Sequence, residues 1–262
     1  VEKKHKKIVS VLEALQIIIL AFLLMIMIDL FLGTVLGKAK LLLMEGIIVV
    51  PAVLYTRFKG GGYRSVFRLN PVKWNYMKAA VFMGIGLSVL GDELDRLVQI
   101  VLPMGRDMMN QLNEYLSWNS FPEAVIVVCA VLIVAPLSEE ALFRGFLQQR
   151  MEKATDATRG VLITSLVFGI MHMNPWSFVQ IIVLGLFLGV AALATGSIWA
   201  SLVIHSINNG IALILINVEP SEISWYYSGD HVSPAVLVCG AVLTGVGLVI
   251  FNKTIKNDGG TV

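Results

Sequence analysis

The chain has 262 residues, of which 56% are apolar and only 15% charged, whereas soluble domains carry about 25% charged residues. A formal charge of +2 gives no basis for a nucleic-acid partner, and two cysteines, Cys129 and Cys239, each inside an apolar block, exclude a disulfide framework or a Cys-rich metal site. Because a bilayer crossing takes roughly 20 mostly apolar residues and several blocks meet that length, the sequence predicts a single integral membrane domain over 1–262 with no separate soluble domain.

In chain order the apolar blocks predict eight spans, near 9–34, 41–56, 77–98, 123–150, 158–174, 176–195, 197–217 and 233–252. The basic start followed by the run from Ile8 to Leu36 is too long for a signal-peptide core and lacks a small-residue cleavage site, so it reads as a retained span. The second block is short and contains Glu45 and Pro51, which weakens it. Pro122, Pro175 and Pro234 fall at span starts, where a missing N–H costs nothing. Gly60, Gly61 and Gly62 predict a loop, residues 103–121 an amphipathic connector, and the tail from Asn257 disorder.

Lysine and arginine bias gives the orientation. Sixteen basic residues fall on the side of the N-terminus, including Lys3, Lys4, Lys6 and Lys7. Four fall on the other side: Lys38, Lys40, Arg96 and Arg106. Eight spans with this alternation place both termini in the cytoplasm, and the expected location is the cell membrane.

Ionisable groups at membrane depth are costly and point to function. The fourth block ends in Ser138-Glu139-Glu140-Ala141-Leu142-Phe143-Arg144. Glu140 and Arg144 are four apart and share a helix face, while Glu139 points about 100° away. A helix that simply ends at the interface would leave both carboxylates solvated, but Phe146 and Leu147 continue the apolar pattern. His172 lies late in the fifth block, where an interfacial histidine beside the break at Pro175 is the competing reading. His205 and Asn209, again four apart, lie in the seventh, where polar side chains also serve to bind neighbouring helices. Spans four and five form an antiparallel hairpin centred near Thr155, with Glu139 16 residues before it and His172 17 after. Equal distance from the turn means equal depth. His205, about three turns into a span entered from the same side, lies roughly 12–15 Å deep. Two carboxylates, two imidazoles and a carboxamide therefore meet below the cytoplasmic surface.

These three segments resemble the CPBP family of membrane peptidases, which includes CAAX prenyl endopeptidases and the bacteriocin-processing and immunity (Abi-type) proteins. The family pattern EExxxR, FxxxH and HxxxN or HxxxD reads here as Glu139-Glu140-xxx-Arg144, Phe168-xxx-His172 and His205-xxx-Asn209, and the resemblance covers 123–217 as the catalytic core. It implies an all-α fold of about eight transmembrane helices around a CAAX-endopeptidase-like core. It also implies that Glu139 activates a water held by His172, that His205 and Asn209 form an oxyanion hole, and that Arg144 locks a supporting Glu140. The expected partner is a membrane-associated peptide or protein substrate, with roles in peptide or bacteriocin maturation, immunity or quorum sensing. No cofactor is expected. A zinc version would use Glu139, His172 and His205 as ligands, but HExxH is absent. Rhomboid-type Gly-x-Ser-Gly and presenilin-type GxGD are absent too, since Leu90-Gly91-Asp92 lacks the first glycine. A non-catalytic membrane regulator or immunity partner is the alternative, and a proton-coupled transporter a further one.

Overall fold

The computed structural model describes residues 10–219 and 221–259. Lys3, Lys4, Lys6 and Lys7, like residues 260–262, lie outside them. The protein is an all-α, polytopic membrane fold whose one departure is a two-stranded hairpin. Helix α1 runs Val11–Leu36 and opens with a capping box, in which Ser10 accepts from the Glu13 N–H and Glu13 accepts from the Ser10 N–H. A 3₁₀ turn at Gly37–Ala39 leads into α2 (Lys40–Ile47) and α3 (Val50–Phe58). Together they make one apolar span, Gly37–Phe58, interrupted where Pro51 starts a new helix. The short α4 (Tyr63–Val66) and the long α5 (Trp74–Val101) follow. Next come the amphipathic α6 (Arg106–Leu116), the rod α7 (Phe121–Ala154), α8 (Ala157–Met171), α9 (Phe178–Thr195), α10 (Trp199–Asn217) and α11 (Pro234–Asn257). Strands β1 (Tyr227–Ser228) and β2 (His231–Val232) pair antiparallel between α10 and α11.

Six helices among the described residues are long and apolar enough to cross a membrane, against eight expected. The other two expected spans are helical but fall short for identifiable reasons. In α5 the last third carries Asp92, Glu93, Asp95 and Arg96, and the hairpin covers that end: His231 Nδ1 and the Val232 N–H each lie 2.8 Å from Glu93. Helix α8 is only 15 residues long, because Met173 takes a left-handed conformation (φ 47°) and the chain turns before Pro175. Pro175 therefore stands in the turn, three residues ahead of α9, and not at a helix start as expected. Pro122 and Pro234 do open α7 and α11. Helix α11 continues to Asn257, where the sequence predicts the start of a disordered tail.

The core forms around α7. Leu142, Phe146 and Leu147 are buried against Ile17, Ile18 and Ala21 of α1 and against Phe67. Elsewhere helices meet through small residues, as membrane helices do. Gly86 of α5 lies so close to α11 that a Cβ would come within 2.4 Å of the Gly240 carbonyl oxygen. Outward faces such as Leu30, Phe31 and Val35 of α1 stay exposed, as a lipid-facing surface requires.

Candidate active site

The rod α7 is not a uniform α-helix. Two π-helical turns, Ala130–Val134 and Ala141–Leu147, flank an α-helical stretch, Ala135–Glu140, that carries both glutamates. Pro136 accounts for the first. The Ala135 N–H donates to the Ala130 carbonyl, five residues back. The next bond of that pattern would run from residue 136 to Val131, and proline has no N–H to give. Asn209 of α10 supplies it instead: its Nδ2 donates to the Val131 carbonyl at 3.1 Å. The π-turns thus set the phase of the glutamates, and π-turns within α-helices are frequent at functional sites.

Glu140 and Arg144 are both buried, their side chains 0% and 1% exposed, and lie 3.1 Å apart. Arg144 is held from three further directions. Its guanidinium stacks on the Phe168 ring (4.1 Å to the centroid) and donates to the Gly185 carbonyl, while Arg68 donates to its backbone carbonyl. Glu140 also takes His205, whose Nδ1 lies 2.9 Å from its Oε1. Glu139 faces away from that pair. Its Oε2 lies 3.8 Å from His172 Nε2 and 3.7 Å from His205 Nε2. These separations are too long for direct hydrogen bonds and short enough for one water to touch both a carboxylate oxygen and a ring nitrogen. The same Oε2 is buried and accepts no hydrogen bond from the described residues, and a buried polar atom normally has a partner.

One backbone contact and one aromatic ring, both from Phe168, hold the histidines. His172 caps the end of α8, and its Nδ1 lies 2.8 Å from the Phe168 carbonyl oxygen. A carbonyl only accepts, so Nδ1 carries a proton and Nε2 is the ring nitrogen turned toward Glu139. Phe168 packs edge-on against both imidazoles, 4.5 Å from His172 and 5.8 Å from His205 between centroids. His205 is buried, whereas the His172 side chain is 32% exposed. Of the six residues singled out by sequence, Glu139, Glu140, Arg144, His172 and His205 form one cluster. Asn209 lies apart from them in hydrogen bonding, its Nδ2 donating to the Val131 carbonyl and to no other acceptor among the described residues. Among the described residues no group of three or more His, Cys, Asp or Glu is arranged to hold a metal ion.

Glu139 and His172 line a cavity of about 220 Å³. Its other walls are apolar, built from α1 (Ile18, Phe22, Met25), from Met44 of α2, and from Leu142 and Phe143 of α7. Two polar side chains complete it, Glu45 of α2 and Tyr115 of α6. Sequence reasoning missed both. The signal for Glu45 was present, an ionisable residue inside an apolar block, but it reads in sequence as a flaw in the second span. For Tyr115 no signal exists, because only the fold brings α6 back to the site.

The family model "Type II CAAX prenyl endopeptidase Rce1-like" matches residues 121–211, the stretch that holds all three motifs. A protein from Escherichia coli described as an uncharacterized 24.3 kDa protein is 31% identical over 91 residues, covering 33% of this chain and 42% of that protein. The match therefore spans less than half of that relative's length. No solved structure matches.

Proposed function

From the similarity of residues 121–211 to the type II CAAX prenyl endopeptidase family model, we propose that the chain is an intramembrane endopeptidase that hydrolyses a peptide bond of a membrane-associated peptide or protein. The observation that carries the proposal is Glu139, a carboxylate at the wall of an apolar cavity with two imidazole nitrogens within 3.8 Å and no direct hydrogen bond to either. A water placed there gives its proton to Glu139 and donates its other hydrogen to the His172 Nε2 lone pair. Its oxygen adds to the carbonyl carbon of the substrate. The negative charge that develops on the carbonyl oxygen is met by donors on α10, the Asn209 N–H that Val131 leaves free and His205 Nε2–H. His205 can donate from Nε2 while keeping Nδ1–H on Glu140 only when both ring nitrogens are protonated. Glu140 and Arg144 touch no reacting atom and act by orienting His205.

The reaction in this reading uses no metal. Purified protein assayed by elemental analysis is expected to cleave peptides with far less than one zinc per chain. About one zinc per chain, lost together with activity on chelation and restored by added zinc, overturns that part. The orientation we propose puts the Thr155 turn and both termini in the cytoplasm and the chain in the cell membrane. The test of catalysis is genetic and biochemical together. Glu139→Ala and His172→Ala are each expected to abolish peptide cleavage and the protein's effect in cells, whereas a regulator acting by contact alone keeps its effect through both.

A further inference from the structure

Glu45 is the only carboxyl of α2, and it opens onto the same cavity as Glu139 and His172. The two glutamates have different company. Glu139 lies beside two imidazoles. Apart from Tyr115 and His172 the rest of the lining the two glutamates share is apolar, Met25, Met44 and Ile48 among it, and Glu45 makes no hydrogen bond or ion pair among the described residues. The Tyr115 hydroxyl donates to Met44 Sδ (3.4 Å). Lys40, one turn earlier in the same helix, is occupied by Asp29 at 2.8 Å. Two carboxyls that share one small apolar space hold a proton between them, because like charges there cannot both ionise cheaply. The imidazoles lie beside Glu139. Glu45 has no such polar neighbour, so the apolar lining of the cavity favours its neutral form. Paired groups whose surroundings favour opposite protonation states are how sites assign an acid and a base.

We infer that Glu45 is the acid of the site, the group that protonates the departing amine. The inference rests on the peptidase reading above. As water adds to the carbonyl carbon, its proton passes to Glu139. The carbon–nitrogen bond then breaks with its electron pair going to nitrogen, and nitrogen takes the proton of Glu45. One carboxylic acid and one amine leave. Glu139 is now protonated and Glu45 ionised, and a single proton transfer across the cavity they share restores both. One water is consumed, and no other reagent is needed. A site with one acid would instead return the proton of Glu139 to nitrogen and leave Glu45 without a part.

The test compares parent, Glu45→Gln and Glu139→Gln in detergent. Infrared spectroscopy reads the C=O stretch of a protonated carboxyl without any substrate. The band is expected in the parent and absent in Glu45→Gln. The kinetic probe is a fluorescence-quenched apolar peptide and its counterpart with the scissile amide replaced by an ester, whose alkoxide leaving group needs an acid far less than an amine does. A positioned acid contributes roughly 10²–10⁴-fold. Glu45→Gln is therefore expected to lower amide cleavage by about 100-fold or more and ester cleavage by less than about tenfold. Equal losses on amide and ester, or a carboxyl band that survives Glu45→Gln, overturn the inference. Normal cleavage by Glu139→Gln overturns the assignment of the base, whereas the amide–ester contrast in Glu45→Gln bears on the acid alone, so the two failures are distinguishable.

Discussion

Glu139 and Glu140 are adjacent in the chain and opposite in their surroundings, and substitution should separate them. Glu140 is wholly buried between Arg144 and His205. Glu140→Gln strands a guanidinium, and removing one partner of a buried ion pair costs about 3–5 kcal/mol. Thermal unfolding in detergent is expected to show that loss alongside lost cleavage. Glu139→Gln is expected to unfold like the parent and to cleave nothing, since an amide cannot take a proton from water. Near-normal cleavage by Glu139→Gln would show that another group is the base, and parental stability in Glu140→Gln would show that Arg144 finds another partner. At this scale much of the site was legible in sequence, because helical spacing alone joins Glu140 to Arg144 and the hairpin count alone brings His172 to the depth of Glu139. Two things were not. The link from His205 to Glu140 needs the packing of α10 on α7. Glu45 needs the return of α2 to the cavity, which no local pattern encodes.

Between Pro136 and Asn209 the structure predicts a measurable coupling. Asn209→Ala removes the donor to the Val131 carbonyl, and leaving such a group unmet costs about 1–3 kcal/mol. In a Pro136→Ala background residue 136 regains an N–H, so the same substitution is expected to cost clearly less. A double-mutant cycle on detergent thermal stability measures the difference, and additive losses would show that Asn209 and Val131 are not energetically linked. Sequence reasoning treated the fourth block as a regular helix of 3.6 residues per turn. The π-turns are invisible to periodicity because each alters the phase without altering composition. The stop of α8 at Met171 was hidden for a related reason: a proline sets a boundary only to within a few residues. The chain uses Met173, a non-glycine in left-handed conformation, to turn sooner.

Across the whole molecule the alternation of basic residues and the positions of the helices make one arrangement. Reporter fusions after Lys256 are expected to be cytoplasmic and fusions within 221–232 to face outward, and a C-terminal reporter on the outer side would sink the arrangement. That the fold is helical and membrane-embedded was legible in composition. The number of helices that qualify as spans was less so, because α5 carries its acidic cluster under the cover of the hairpin and α8 is clipped short by the site itself. The cavity has a further consequence. Its floor, with Glu139, Leu142, Phe143 and His172, lies within residues 121–211, whereas Ile18, Phe22, Met25 and Met44 come from α1 and α2, outside that segment. In the proposed function, the means of cutting and the choice of what is cut are then written in different stretches of the chain. Enlarging the space from the α1 side, by Phe22→Ala, is expected to change the ranking of apolar peptides differing beside the scissile bond. The rate on a peptide that does not reach Phe22 should stay as it was. A uniform change across all peptides would mean that α1 merely supports the rod, and a shifted ranking would mean that a new preference can evolve there while the hydrolytic centre stays untouched.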